Sequence, residues 1–515
     1  MKHILLGALL APALAAGQAR VVTARFAAVT YLTTTTAYLN AGRADGLRDS
    51  VRLEVFRNGQ RVGAIRVAFL ASHQASCDII DTVRALAIGD SARYVPAAGP
   101  AVTTAAAPVG WSAASRSAPP LLTGTVGLEY FSVSGDGVHL SQPGVDLRLL
   151  AGPPGSQWGG VLDLRERRAT TAAPGTSTSA VTESRVYQAF MRWRPGGASL
   201  RVEMGRQFVE GLSSVGLVDG LQIVRETPTW AVGGFVGTQP GLADLEVSSD
   251  IRMVGAFVRR QGQPAGGGVW SLTAGASGSY QIWRTNREFM YFEARYFSPR
   301  FSGFLSQEVD YYRPWKRVGG ESAVSPTATF GQLRFEASPG LAIEGGVDER
   351  RNVRLFEDVV SPESTFDAAF RRGAWIGTSL RPGEHVWVEL DAHASDGGTI
   401  GRTDSYTASV SLVRLGALGA NARTRATYYL SPGRVGRLAA MTLGVAPADR
   451  WRVSVDLGQR DETVAILSSP QVSRWVGLSL DVSLARAWFM TFSATRQRGA
   501  QQDADQLFAY LSYRL

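Results

Sequence analysis

The sequence predicts an all-β chain in which a small N-terminal β-domain precedes a large antiparallel transmembrane β-barrel. Three observations carry this reading. The chain opens with an export leader and shows no later helical span. From residue 121 to 515, apolar and polar residues alternate in one segment after another. The connections between those segments alternate between tight Pro/Gly turns and longer polar loops, as in outer-membrane barrels.

The leader comes first. Lys2 supplies a positive n-region, Ile4 to Leu14 an apolar h-region, and Ala13-Leu14-Ala15 a small-residue cleavage site, with Gly17-Gln18-Ala19 as a second candidate. Residues 1–19 are therefore expected to be a signal peptide. The apolar run is about half the roughly 20 residues that a spanning helix needs. No Cys follows it, so nothing points to a lipoprotein anchor. Cys77 is the single cysteine, which excludes an intramolecular disulfide, and a small buried core residue is its expected role. The formal net charge of +9 would suit a nucleic-acid partner, but export removes the chain from nucleic acid. Only Lys2 and Lys316 are lysines, so the remaining basic residues are all arginines.

Residues 20–95 read as a compact domain of short strands. Val51 to Arg57 alternates apolar and polar, Asn58-Gly59 supplies the positive-φ pair of a type I′ turn, and Val62 to Leu70 returns. With Gly42, Gly46 and Gly89-Asp90 as further turns, five or six strands are expected to form a barrel or roll. The order Tyr38-Leu39-Asn40-Ala41-Gly42, Asp45-Gly46-Leu47, Val51 to Arg57, Val62 to Val67 and Ile88-Gly89-Asp90 resembles the SH3-like C-terminal domain of flagellar assembly protein T. This resemblance implies an SH3-like fold and a periplasmic adaptor role, not flagellar function. Peptidoglycan or periplasmic proteins would be its partners. Residues 96–120, rich in Ala, Pro, Ser and Thr, read as a linker stiffened by its prolines.

Residues 121–515 carry the barrel. Val476, Leu478, Leu480 and Val482 share one face while Gly477, Ser479, Asp481 and Ser483 share the other, and Trp451 to Leu457 repeats the pattern. Gly152-Pro153-Pro154-Gly155, Arg194-Pro195-Gly196-Gly197, Ser338-Pro339-Gly340 and Arg381-Pro382-Gly383 are the tight turns, expected in the periplasm. The longer loops, at 168–182, 208–218, 313–325, 351–366, 460–471 and 496–505, belong to the opposite end; Ser431-Pro432-Gly433 falls there too, although it is short. Counting segments gives about 22 strands, uncertain by two to four, and an even number returns the C-terminus to the periplasm.

The last strand places Leu507, Leu511, Tyr513 and the terminal Leu515 on one face. It resembles the C-terminal strand that the barrel-assembly machinery recognises, with Leu where Phe or Trp is more usual. Trp158, Trp193, Trp230, Trp283, Trp315 and Trp375 lie near segment ends and are expected in the aromatic girdles at the membrane interfaces.

Enzymatic chemistry finds little support. Only His73, His139, His385 and His393 remain after the leader, with no nucleophile elbow and no paired-His metal spacing. His73 near Cys77 offers two ligands at most, which make a poor metal site. Asp136-Gly137 and Asp396-Gly397-Gly398 read as turns rather than calcium loops. No enzyme, metal or cofactor is expected. Charge on a lipid face costs roughly 2–4 kcal/mol at mid-membrane, which turns charged residues inward. Asp146, Arg148, Asp163, Arg165, Arg201, Glu203, Arg206, Arg423, Arg425, Arg452 and Asp456 are accordingly the predicted pore lining. Their mixed signs leave anion and cation selectivity open.

Gly205-Arg206-Gln207 with Asp219-Gly220-Leu221 resembles a motif of alginate-export-type porins, where strand end and loop shape the pore. The expectation is an outer-membrane porin-like channel or transporter for a polar solute or polymer, with N-terminal domain and C-terminus in the periplasm. A barrel so wide needs something in its bore, either inward-folded loops or the small domain at its mouth. The other expectation is a non-transporting anchor that presents the small domain to peptidoglycan or an envelope assembly.

Overall fold

The computed structural model describes residues 25–32, 36–39, 41, 47, 51–57, 60–70, 75–82, 86, 90–94 and 121–515, the last range without the connecting segments 153–155, 196–198, 242–244, 263–267, 318–320, 357–369, 398–400, 417, 449, 466–469 and 500–502. The predicted signal peptide, the linker, His73 and the Asn58-Gly59 turn lie outside the described residues.

Two units are present. The first holds six strands, Arg25–Leu32, Thr36–Leu39, Arg52–Arg57, Gln60–Leu70, Ala75–Thr82 and Ser91–Tyr94. They close into a small barrel in the order first, second, fifth, fourth, third, sixth. Alternation builds its core: Leu53 and Val55 are buried while Arg52 and Glu54, which alternate with them, are only partly covered. Val29, Leu39, Val62, Ile65, Val67 and Cys77 complete the packed interior, and so the thiol occupies the core position expected of it. Arg57 grips Asp90 through two hydrogen bonds of 2.6 and 2.9 Å, joining the third strand to the residue that opens the sixth.

The second unit is a closed barrel of 22 antiparallel strands, each hydrogen-bonded to its sequence neighbours. The first strand, Leu122–Gly135, closes on the last, Ala504–Arg514, with Leu128 opposite Leu511 and Glu129 opposite Tyr510. Period-two alternation separates the faces. On Ile251–Gly262, Met253 and Phe257 are buried, whereas Val254 and Val258 are 47% and 37% exposed. Leu128, Val145, Met191, Met204, Leu305, Leu390 and Val476 repeat that exposure around the outer wall. Water would not tolerate such a continuous apolar band, but lipid does.

Trp158, Trp193, Trp230, Trp451 and Trp488 stand exposed at the termini end of the barrel, where its first strand begins and its last strand ends. Trp158 stacks on Trp193 at 5.9 Å and Trp488 packs on Tyr513 at 4.9 Å, which makes a girdle at that rim. Trp283 and Trp315 belong to connections at the opposite end. Trp375 departs from the girdle expectation: it sits in mid-strand, opposite Gly346 and His393, on the inward face.

At the termini end the longest connections, 152–157, 194–199 and 263–268, have six residues. The opposite end carries 209–216, 239–250, 312–323 and 352–369, together with two-residue turns at 136–137, 282–283 and 432–433. The asymmetry is the expected one, and the short connection at Pro432-Gly433 does fall on the long-loop end. Asp136-Gly137 is a two-residue turn with φ of 50° and 79°, the backbone that a type I′ turn requires.

Candidate functional site

The inner wall carries the ions, and one connection folds across it. The strand Leu200–Phe208 runs into 209–216, which returns as Leu217–Glu226. Its sequence, Val-Glu-Gly-Leu-Ser-Ser-Val-Gly, places apolar side chains at 209, 212 and 215, unlike a loop made for water. Val209 and Leu212 are 1% and 0% exposed, packed on Val224, Phe235, Phe257, Phe289 and Tyr291 of the inner wall. Gly211 and Gly216, with φ of 79° and 76°, supply the left-handed backbone at its bends. The turn closes on itself through Val215 N–H to Leu212 O at 2.9 Å.

Polar contacts fix the rest of the loop. Glu210 takes Arg259 at 3.1 Å and also pairs with Arg201, while its N–H donates to Gln222 Oε1 at 3.0 Å. The Ser213 hydroxyl donates to the Tyr291 hydroxyl at 3.0 Å, and Tyr291 in turn donates to Glu293 at 2.7 Å. Ser214 donates to Glu308, whose carboxylate is held by Arg287 at 2.6 Å. An eight-residue loop thus reaches side chains on strands up to Phe301–Tyr311, five strands beyond its own return strand. Only the concave side of a closed wall permits that chord.

Apart from Arg206, the predicted lining residues fall into four clusters. Arg148 lies 4.0 Å from Asp163, Arg165 lies 3.4 Å from Glu129, and Tyr510 donates to Asp146 at 3.1 Å. Arg201 and Glu203 share a face with Arg192, which binds Glu203 at 2.6 Å. Arg423 reaches Glu389 at 3.3 Å, with Arg425 two residues on along the same face. Asp456 accepts from Thr442 at 2.5 Å, and Arg452 stands on Asp456's face of the same strand.

Arg206 stands on the other face. Strand alternation cannot bring residues 203 and 206 to one side, and Arg206 lies with Met204, directly opposite Asp219. It pairs with Asp219 at 2.6 Å and donates to the carbonyls of Val186 and Leu245, so its charge is consumed beneath the connection 239–250. The predicted lining omits Glu129, Arg192, Glu210, Arg259 and Glu389, although alternation already puts Glu389 on the ionic face of its strand. Alternation alone would have found all but Glu210, whose inward position follows from the burial of Leu212.

At the long-loop end a collar closes over the strands. Lys316 is 1% exposed, its ammonium donating to Asn286 O. Glu321 binds Arg351 and Arg354 at 2.7 and 2.8 Å. Hydrogen bonding to the Glu288 carboxylate, at 2.7 Å, holds the Arg313 guanidinium above its ordinary range. Leu507, Leu511 and Tyr513 share the outward face of the last strand, the face of Leu128, and Leu515 follows its end, 48% exposed.

No family model matches the sequence and no curated protein matches it, so the two local resemblances rest on their motifs alone. Among solved structures the chain is similar to two point mutants of the ferric enterobactin receptor from Pseudomonas aeruginosa in complex with enterobactin. Each has a TM-score of 0.50 and 9% identity, covering 76% of this chain and 81% of that one. The siderophore receptor PirA from the same organism gives a TM-score of 0.45 at 10% identity, covering 76% and 80%. At such identities the likeness is one of fold. A closed 22-strand barrel with an apolar outer band and an ion-lined interior is an outer-membrane β-barrel.

Proposed function

We propose that this protein is an outer-membrane channel or transporter for a polar solute, narrowed by the loop 209–216. The observation that carries the reading is that loop: its apolar side chains are buried on the inner wall and its carboxylate bridges two wall arginines. A barrel that served only as an anchor would gain nothing from a built constriction. Asp146, Arg148, Asp163, Arg165, Arg201, Glu203, Arg423, Arg425, Arg452 and Asp456 would line the aqueous path. Ion pairs of both signs beside it would select by local field rather than by net charge.

In this reading the short-turn end faces the periplasm, together with the small domain and both termini, and the outer leaflet surrounds the long-loop end. The outward face of Leu507, Leu511 and Tyr513, with Leu515 after it, would serve the barrel-assembly machinery and then lipid. The small domain would act as adaptor or plug, with peptidoglycan or periplasmic proteins as partners. Single-channel conductance of the refolded mature chain in planar bilayers, with and without residues 20–120, tests the reading. Steady conductance in both forms supports a channel with an adaptor, and conductance only after deletion supports a plug. A folded, heat-modifiable barrel that conducts in neither form overturns the channel.

A further inference from the structure

The inner wall carries a second organised feature, away from the loop 209–216. Phe304, Phe330, Trp375 and His393 follow one another with ring centroids 5.8, 5.5 and 6.3 Å apart. The last two steps join near-parallel planes, at 27° and 15°. Trp375 lies on Gly346 of the neighbouring strand, where any Cβ would come within 2.3 Å of the indole, so one face covers the wall and the other is left to the lumen. Had packing been the only purpose, the rings would be buried. Phe330 is, but Phe304 and Trp375 are half-buried and His393 is exposed.

The row extends in both directions. Arg295 places its guanidinium 5.4 Å from the Phe304 centroid. Beyond His393 the cross-strand partners are Ser405 and then Tyr429, whose ring lies on Gly436 as Trp375 lies on Gly346. From Phe304 to Tyr429 the row crosses six strand spacings of about 4.8 Å, roughly 29 Å in all. Cross-strand partners lie at right angles to the strands, and barrel strands tilt by about 35–45°, so the row climbs the wall obliquely instead of circling it.

One register step nearer the termini end runs a polar row. Arg334 pairs with Glu344 at 3.2 Å, Asp391 follows, and the Thr407 and Thr427 hydroxyls are 3.0 Å apart. This rail offers donors and acceptors of both signs. A hydroxyl both gives and takes a hydrogen bond and suits such a rail. A hydrocarbon would leave it unsatisfied, and an anion would meet Asp391 and Glu344.

Resting on the channel reading above, we infer that the aromatic row and its polar rail form a track for a neutral, linear oligosaccharide. Flat C–H faces of pyranose rings spaced along the sugar, and not of adjacent ones, would stack on Phe304, Trp375 and Tyr429, which stand three strands apart, while the ring hydroxyls exchange hydrogen bonds with the rail.

Titrating the purified full chain in detergent micelles with maltoheptaose and with cellohexaose, followed by calorimetry, tests the track without requiring a current. Binding of either sugar is expected, weakened about tenfold by Trp375→Leu, which still covers Gly346 but lacks a flat face. Trp375→Phe retains a face and should bind nearly as wild type, and Trp451→Leu, on the outer wall, should change nothing. In bilayers the same sugars should interrupt the current more than a poly(ethylene glycol) of equal mass. A folded barrel that conducts but binds neither sugar overturns the track and leaves the channel standing. Equal losses in the Leu and Phe variants, or equal block by the polymer, also overturn it. A protein that binds sugar yet never conducts overturns the channel reading instead.

Discussion

Leu212 occupies the space left by Gly275: a Cβ at position 275 would lie 2.6 Å from Leu212 Cδ2. The inward position of the loop 209–216 therefore depends on a missing side chain on a strand three places beyond its own return strand. Gly275→Val should displace the loop without opening the barrel. We expect proteinase K to cut the variant within 209–216 while wild type resists, with heat-modifiable mobility unchanged in both. Leu212→Ala should act in the same direction, weakening the docking by about 2–5 kcal/mol, the range for emptying a buried leucine site. Uniform resistance in all three proteins would mean that the loop is held by its polar contacts alone.

Glu210 balances two guanidiniums, Arg201 and Arg259. Glu210→Gln removes the negative charge and leaves both arginines beside the aqueous path. The reversal potential in a salt gradient should shift toward anion preference, and the shift should shrink at high salt as screening shortens the reach of the exposed charges. A shift toward cations would show that Glu210 does not face the conduction path.

The turn Ile282-Trp283 is built from residues poorly suited to it. Both have positive φ, 49° and 63°, although neither is Gly, Asn or Asp. Arg252 stacks on the indole at 3.9 Å and offsets part of that cost. Replacement by Asn-Gly should relieve backbone strain and stabilise the refolded barrel by about 1–2 kcal/mol in urea titration. Destabilisation would mean that the Arg252–Trp283 stack outweighs the strain.

In a chain that starts after the proposed leader, at residue 20, Lys316 is the one lysine, and it is 1% exposed. An amine-reactive ester should label the folded protein at the N-terminus alone and acquire a second site, Lys316, after heat unfolding. Rapid labelling of Lys316 in the heat-modifiable form would show that the collar at 312–323 opens freely.

Much of the fold was legible because a lipid face and a wet face leave period-two patterns, and the alternation of short and long connections separates these strands from the half-buried strands of a soluble sheet. Strands such as Trp451–Val464 and Gln471–Ser483 announce themselves in this way, and the Pro/Gly turns order the two ends. The inward charges follow from the same alternation, and Arg206 shows its discipline: counted from Glu203, it could only face outward. Trp375 misled for a related reason, since a tryptophan near a segment boundary was assigned to a girdle, whereas the glycine that receives its ring lies on another strand. The chord of the loop 209–216 was visible only as an apolar spacing within a polar segment. Which wall would receive Leu212 depends on Gly275 and Phe257, far along the chain, and no local pattern encodes that meeting.

The most direct test of the account is the conductance and size cut-off of the full chain compared with a chain lacking residues 211–215. Removal of the constriction should raise single-channel conductance and admit larger poly(ethylene glycol) molecules, with the barrel still heat-modifiable. Equal conductance and equal cut-off in the two proteins would contradict the claim that this loop sets the width of the pore.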